Sequence, residues 1–115
     1  MSSLLTHELR QMSGFSSKPL FNINIFTPKP GRLDDFIRAQ LDGVPRLGEI
    51  PGLTESRVFR AEDGSRAIIM AGFASVDAHR EFQNGAAFQE ERARLRPLIE
   101  ATQAGFYRLV HERDR

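Results

Sequence analysis

The sequence predicts an α+β domain of the ferredoxin-like type, in which one antiparallel sheet carries its helices on a single face. From Leu20 to Glu112 the predicted segments follow in the order strand, helix, strand, turn, strand, helix, strand, which is the βαββαβ plan. The third strand is apolar at nearly every position, whereas a strand with one wet face would alternate. We therefore expect the second face of the sheet to be covered by another copy of the chain, a ligand, or both.

The first predicted strand, Leu20 to Thr27, alternates cleanly between two sets of side chains. One set is entirely apolar and is made of Phe21, Ile23 and Ile25. The other set contains two amides and is made of Asn22, Asn24 and Phe26. The strand is expected to end at Pro28 and Pro30, because proline has no N–H to donate to a neighbouring strand.

The first helix is predicted to begin at Pro30 or Gly31. Asp34 and Asp35 then fall in its first turn, where the helix dipole favours negative charge. Its core-facing positions follow helical spacing: Leu33, Phe36, Ile37, Gln40, Leu41 and Val44. Gly43 and Pro45 are expected to fray its end.

A hairpin is predicted next, with strands Leu53 to Ala61 and Arg66 to Phe73. Residues 62–65 form its turn, where Gly64 can adopt a positive φ. The apolar run in the second of these strands is typical of a central strand.

The second helix is predicted to follow a Ser75 cap, to break at Asn84-Gly85, and to continue from Phe88 through Thr102. Pro97 should kink this second segment or start a new turn, and Gly105 should end it. The last strand is then expected from Phe106 to Glu112. Residues 1–19 are interpreted as an extension, either a short docked helix or a frayed tail, and residues 20–115 as one domain.

Composition excludes several classes of function. The chain has 115 residues and no cysteine, which removes disulfides, thiolate nucleophiles and cysteine metal sites. Its net charge of +1 lacks the basic excess of nucleic-acid binding, and the third strand, RAIIMAGF, has no aromatic platform for RNA bases. We expect neither a nucleic-acid nor a membrane partner, no secretion signal, and a cytoplasmic location. The three histidines lack the spacing of metal ligands.

Three segments together resemble the antibiotic biosynthesis monooxygenase superfamily. FNINIFTPKPGRLDDFIRAQL is similar to the family's first strand, its Lys-Pro-Gly-type turn and its acidic, Phe-containing helix. IPGLTESRVFRAEDG is similar to the second strand, and IIMAGFASVDAHREFQNGAAFQEERARL to the third strand and the broken helix. The resemblance extends over about residues 20 to 112.

The resemblance implies a homodimeric α/β barrel, with two sheets facing each other and helices outside. Some members oxidise quinols, anthrones or related aromatic polyketides with O₂ and no cofactor, and others degrade haem. In the haem-degrading members a helix histidine ligates iron and a tryptophan ends the third strand. Arg92 and Phe73 stand near those two positions here, which argues against haem degradation. We expect no cofactor and no metal.

Asn24 and His79 are the predicted catalytic residues. Asn22 and Asn24 share one strand face although asparagine is disfavoured in strands, so they could wall a polar cavity and stabilise an oxyanion. The alternatives are a solvated strand face or a hydrogen bond across a dimer interface. The ordinary pKa of histidine suits His79 to act as a general base, and the alternative is an exposed helix histidine.

The predicted substrate-binding residues are Asn22, Arg57, Phe73, Phe82, Phe88 and Tyr107. Arg57 could bind an anionic substrate, although a salt bridge is the other interpretation. Phe82 and Phe88 flank the helix break and could form an aromatic rim or pack in the core. Tyr107 could line either a pocket or an interface.

Two functional hypotheses follow. The first is a cofactor-independent monooxygenase that acts with O₂ on an electron-rich aromatic, such as a quinol, an anthrone or a polyketide-like molecule. The second is a non-catalytic dimer of the same fold that binds a small molecule, because the chain has few reactive side chains: no Cys, no Trp and one Tyr. Ligand binding that stabilises the protein without turnover would favour the second hypothesis.

Overall fold

The computed structural model describes residues 19–113 and confirms the ferredoxin-like βαββαβ plan. Its strands are β1 (Leu20–Pro28), β2 (Leu53–Arg60), β3 (Ala67–Phe73) and β4 (Ile99–Arg108). Its helices are α1 (Leu33–Leu47), α2 (Val76–Asn84) and α3 (Ala86–Leu95), followed by a 3₁₀ turn (Arg96–Leu98). The predicted N-terminal extension lies outside the described residues except for Pro19, whose carbonyl accepts a hydrogen bond from the N–H of Leu109.

The four strands form one antiparallel sheet in the order β2-β3-β1-β4. The apolar third strand is therefore an interior strand, as its sequence predicts. β1 is the other interior strand, and its first residue, Leu20, lies between Phe73 of β3 and Arg108 of β4. Every side chain of β1 consequently has a cross-strand neighbour on at least one side.

The two faces of the sheet differ in what covers them. The rings of Phe26 on β1 and Phe36 on α1 lie 5.0 Å apart, so the side of β1 that holds Phe26 faces the helices. Strand alternation then places Asn22 and Asn24 on this helix face. The other side, here called the open face, carries apolar or aromatic side chains on all four strands: Phe21, Ile23, Ile25, Phe59, Ile68, Met70 and Tyr107.

The core lies between the helix face and the helices. Phe36 is fully buried, and it packs in a cluster with Leu33, Ala67 and Leu95. Phe26, Ile69 and Leu98 pack around this cluster. These contacts bring together α1, α3, β1 and β3, so a single apolar cluster sets the distance between the helix layer and the sheet.

The local turn predictions are confirmed. Ser75 caps α2 because its Oγ accepts a hydrogen bond of 3.0 Å from the N–H of Ala78. In the β2–β3 turn, Gly64 has φ of 77°, which is strained for any residue with a Cβ. Asp63 accepts hydrogen bonds from both the N–H and the Oγ of Ser65 and so holds the same turn.

The prediction for the end of the chain is wrong. The helix does not continue to Thr102, because α3 ends at Leu95 and β4 already begins at Ile99. Of the two alternatives for Pro97, the new turn is confirmed: Pro97 lies in the 3₁₀ turn after α3 and does not kink a continuous helix, since it cannot donate to the preceding turn. Gly105 lies inside β4, opposite Ile23, and does not end a helix.

The prediction for α1 is also wrong in part, because Gly43 is buried in the helix and the helix continues to Leu47. Leu41 and Val44, predicted in the core, are about half exposed. On α3, the buried carboxylate of Glu91 occupies the space that a side chain at position 43 would need. The two helices therefore approach each other at Gly43, which explains why this residue is buried within the helix rather than at a frayed end.

Glu91 joins α3 to α1 through charged contacts. Its Oε2 accepts a hydrogen bond of 2.5 Å from Nη2 of Arg94, and its Oε1 lies 3.6 Å from Nη1 of Arg46 on α1. The same Nη2 of Arg94 donates to the backbone carbonyl of Ala39 at 2.6 Å. The hydrogen bond from Arg94 is the main reason why the pKa of Glu91 lies below its ordinary value.

Glu91→Gln should lower the free energy of unfolding at pH 7, because it leaves Arg94 beside a neutral partner. The lowered pKa means that this contribution is present above about pH 4.5 and disappears as the pH falls through the folded-state pKa. The difference between wild type and variant in chemical denaturation should therefore shrink below pH 4.5. Glu90→Gln, on the exposed neighbour, is the control. An equal effect of both substitutions would contradict this role of Glu91.

Candidate active site

Two asparagines of β1 form a hydrogen-bonded pair on the helix face. Nδ2 of Asn24 donates to Oδ1 of Asn22 at 2.6 Å, and Nδ2 of Asn22 lies 3.4 Å from the carbonyl of Gly105. The pair is half-buried and lies on the face of the sheet that carries the helices. Each amide uses one N–H in these bonds and retains a second N–H for a bound molecule.

Each asparagine has one small and one large neighbour on the adjacent strands. Asn22 lies between Ala71 of β3 and Phe106 of β4. Asn24 lies between Ile69 of β3 and Ala104 of β4. Cross-strand neighbours stand about 4.5–5.5 Å apart, so the two alanines leave each amide uncovered on one side only.

His79 lies within α2 and is 7% exposed, so the interpretation as an exposed helix histidine is wrong. Its imidazole packs edge-on against two phenyl rings. The ring-centre distance is 5.0 Å to Phe73, at the end of β3, and 4.7 Å to Phe106 on β4. The helix periodicity and the pairing of β4 with β1 together place this histidine over the sheet rather than towards solvent.

Phe106 connects the histidine to the asparagines. It lies directly opposite Asn22 in the β1–β4 register, on the same face, and it also contacts His79. One aromatic side chain therefore separates a histidine from an amide pair on the helix face. A flat molecule beside Phe106 would meet an amide on one side and an imidazole on the other.

Burial lowers the pKa of His79 below its ordinary value. The imidazole is therefore neutral at pH 7 and can accept a proton. Because the surrounding rings of Phe73 and Phe106 supply no negative charge, the imidazolium formed by that step would be stabilised only by an anion arriving with the ligand. The site thus suits a neutral ligand that becomes an anion on losing its proton.

The structure brings together six of the eight predicted site residues. Phe82 continues the aromatic cluster, with ring-centre distances of 5.9 Å to Phe73 and 4.9 Å to Phe88. Asn22, Asn24 and His79 complete the set on the helix face. The remaining two residues, Arg57 and Tyr107, lie on the open face, opposite Met70 and Phe21 respectively.

The position of Arg57 and Tyr107 follows from strand alternation. Arg57 lies 3.8 Å from the carboxylate of Glu55 on the same strand, in an exposed ion pair. Tyr107 is 54% exposed, and its ring lies over the backbone of Gly105. Their side chains are directed away from the helix-face site of the same chain.

Phe106 is the site residue that sequence reasoning missed. The predicted strand began at Phe106, so its pairing with β1 was not apparent. The available signal was Pro97, because a helix that stops there leaves Ile99 to Arg108 as a strand that matches β1 in length. Pairing the two strands would have put Phe106 beside Asn22.

The chain belongs to the antibiotic biosynthesis monooxygenase family, whose model matches residues 19–94. The matched region contains the asparagine pair and the α2–α3 aromatic residues but ends before β4. Among curated protein sequences, none matches this chain at a significant level.

Solved structures with the same fold include three similar proteins. A putative antibiotic biosynthesis monooxygenase from Bordetella bronchiseptica is 23% identical, with a TM-score of 0.73, over 82% of this chain and 99% of that one. SnoaB from Streptomyces nogalater, described as a cofactor-independent oxygenase, is 19% identical, with a TM-score of 0.72, over 83% and 96%. Rv0793 from Mycobacterium tuberculosis is 15% identical, with a TM-score of 0.70, over 84% and 99%. These similarities establish the fold.

None of the helices within residues 19–113 is long and apolar enough to span a membrane. No cluster of three or more potential metal-ligating side chains occurs there either.

The histidine titration provides a direct test of the buried site. In NMR, the His79 imidazole should titrate below about pH 6.5, and His79→Gln should remove that signal. Because the unfolded chain protonates first, the stability should decrease as the pH falls from about 6.5 to the folded-state pKa. His79→Gln should remove this loss, whereas His111→Gln, at an exposed position, should retain it. A pKa at or above 6.5 would contradict the buried environment.

Proposed function

We propose that this protein is a cofactor-independent monooxygenase that oxidises an electron-rich phenolic aromatic, such as a quinol or an anthrone in its enol form. The observation that carries the proposal is the placement of the Asn22–Asn24 pair and buried His79 on one face of the sheet, on either side of Phe106. Family membership and the similarity to an oxygenase support the reaction class.

His79 would remove the phenolic proton, and Asn24 would donate a hydrogen bond to the resulting oxyanion. A phenol has a pKa of about 10, so transfer to a neutral imidazole is uphill without help. The amide N–H groups lower that difference by favouring the anion, and the anion in turn stabilises the new imidazolium. Asn22 fixes the orientation of Asn24 through the 2.6 Å hydrogen bond.

The oxidation itself would use the electrons of the substrate. The substrate anion transfers one electron to O₂, and the resulting radical and superoxide combine and take up a proton to form a carbon-bound hydroperoxide. Loss of water from that hydroperoxide leaves a carbonyl, so one oxygen atom enters the product and the other leaves as water. The buried ring of Phe73 and the half-buried ring of Phe82 would shield these intermediates on one side, whereas the ring of Phe106 is 45% exposed.

The proposal includes a homodimer formed through the open face. Its apolar and aromatic residues extend over all four strands, and a contiguous apolar surface of this kind is typical of an interface. A second copy is the partner that fits best, because two sheets can pack face to face about 10 Å apart. In such a dimer Arg57 and Tyr107 would contact the second copy.

The catalytic proposal is tested by O₂ uptake on a panel of hydroquinones and anthrones. His79→Gln should lower kcat by about 10²-fold or more, since it removes the base. Asn24→Ala should lower kcat by about 10-fold to 10²-fold, because it removes one donor to the oxyanion. Both effects should appear in kcat more than in KM, because both groups act on charge that develops during the reaction.

The controls are substitutions of the same residue types outside the site. His111→Ala removes an exposed histidine, and Gln83→Ala removes an exposed amide of α2. Both should retain the wild-type rate. Equal rates in all four variants would exclude these roles, and ligand binding without any O₂ uptake by the wild type would instead support the non-catalytic binder.

The dimer is tested by a charge in the centre of the open face. Ile23→Lys would bury an unpaired ammonium between the sheets, so it should weaken association by about 30-fold or more. Native mass spectrometry and light scattering would report the change. Leu41→Lys, on a half-exposed residue of α1, is the matched control and should remain dimeric. A monomeric wild type, or a dimeric Ile23→Lys variant, would contradict the proposed interface.

A further inference from the structure

A groove of about 300 Å³ lies between the loop after α1 and the corner where α2 meets α3. It is distinct from the candidate active site, since neither the two asparagines nor His79 line it. Most of its wall is apolar. The residues that line it are Leu47, Glu49, Ile50, Pro51, Ala78, Glu81, Phe82, Gly85, Ala87 and Phe88.

The groove shares aromatic side chains with the candidate active site. Phe82 and Phe88 line it, and their ring centres are 4.9 Å apart in an edge-on arrangement. Phe82 also lies 5.9 Å from Phe73, which contacts His79. One ring, that of Phe82, therefore stands between the groove and the buried histidine. Phe82 is therefore the residue through which the groove contacts the aromatic cluster of the candidate active site.

The wall formed by the loop after α1 lies close against α2. Gly52 has φ of 83°, and a Cβ at this position would lie only 2.6 Å from the Cβ of Ala78. The N–H of Ala74 also donates a hydrogen bond of 2.8 Å to the carbonyl of Gly52. The groove consequently has a defined width at this end, set by backbone contacts rather than by flexible side chains.

The charged residues of the groove all have the same sign. Glu49 and Glu81 line it, and no lysine or arginine does. Neither carboxylate forms an ion pair with another residue of the described range 19–113. Both carboxylates are exposed, so together they attract a cation and repel an anion most strongly at low salt, where screening is weak.

We propose that this groove binds the non-reacting end of the substrate and selects flat aromatic molecules that carry a positive charge there. An ammonium group would lie against Glu49 and Glu81, while the rings pack on Phe82 and Phe88. Carboxylated aromatics would be rejected. This inference rests on the proposed monooxygenase function, because the bound molecule is a substrate only if the protein oxidises it. The binding preference itself can be measured without any turnover.

Three matched probes test the charge preference: 1-naphthylmethylamine as the cation, 1-naphthylmethanol as the neutral molecule and 1-naphthoate as the anion. Their Kd values would be measured by calorimetry or NMR titration at pH 7 and low salt. The cation should bind about tenfold more tightly than the anion, and the difference should decrease at high salt because the carboxylates are screened. Equal affinities for the three probes, or no binding of any, would overturn the proposal.

Substitutions then assign the preference to the groove. The double variant Glu49→Gln with Glu81→Gln should bring the ratio of cation to anion affinity close to one, whereas Glu90→Gln, an exposed carboxylate outside the groove, should leave it unchanged. Ala87→Phe should fill the groove and weaken binding of all three probes. A charge preference that survives in the double variant, or probe binding unaffected by Ala87→Phe, would place the site elsewhere.

The same experiments separate the two proposals. If the probes bind the groove as expected but no phenol causes O₂ uptake, the result would support the binding preference and contradict the monooxygenase proposal. If O₂ uptake depends on His79 but the probe affinities are unchanged by substitution of Glu49 and Glu81, the result would support the monooxygenase and overturn the groove inference. A charge-dependent KM that disappears in the double Glu→Gln variant would support both.

Discussion

The alternation of β1 is the constraint on which the arrangement of this protein depends. Its amides, Asn22 and Asn24, face the helices, while its apolar set is directed to the open face. A single chain would be more stable if Phe21, Ile23 and Ile25 faced the helices and the amides faced solvent. Burying amides costs free energy unless they are hydrogen-bonded. The mutual hydrogen bond of the pair offsets part of this cost, and each asparagine has a small alanine neighbour on one of the two adjacent strands.

Two contacts position the helices over this face of the sheet. Phe36 anchors α1 over Phe26 at one end of β1, and Glu91 joins α3 to α1 where Gly43 makes room for its carboxylate. This leaves α2 to cover the other end of the sheet, where His79 packs between Phe73 and Phe106. The apolar core and the candidate site thus occupy opposite ends of the same interlayer space, and the break at Gly85 separates α2 from α3.

The periodic parts of this structure could be predicted from the sequence with little error. Strict alternation identified β1, the Asp-Gly-Ser turn identified the hairpin, and the Ser75 cap located α2. The errors occurred where a single residue was consistent with two structures. Gly105 was interpreted as a helix stop but lies in β4, and Gly43 was interpreted as a frayed end but marks the closest approach of two helices. A glycine indicates that a side chain is excluded, but the neighbour that excludes it is a long-range contact.

The sequence by itself determined the order of elements, the family and the sharing of one strand face by Asn22 and Asn24, because these depend on residues close together in the chain. The tertiary structure decided that this strand face is the one covered by the helices, and it decided which side chains contact the asparagines there. His79 and Phe106 are brought to the asparagines by helix packing and by the register of β4, neither of which has a local signal. Strand pairing also separated Arg57 and Tyr107 from the site, because the register determines which alternate residues of each strand face the helices.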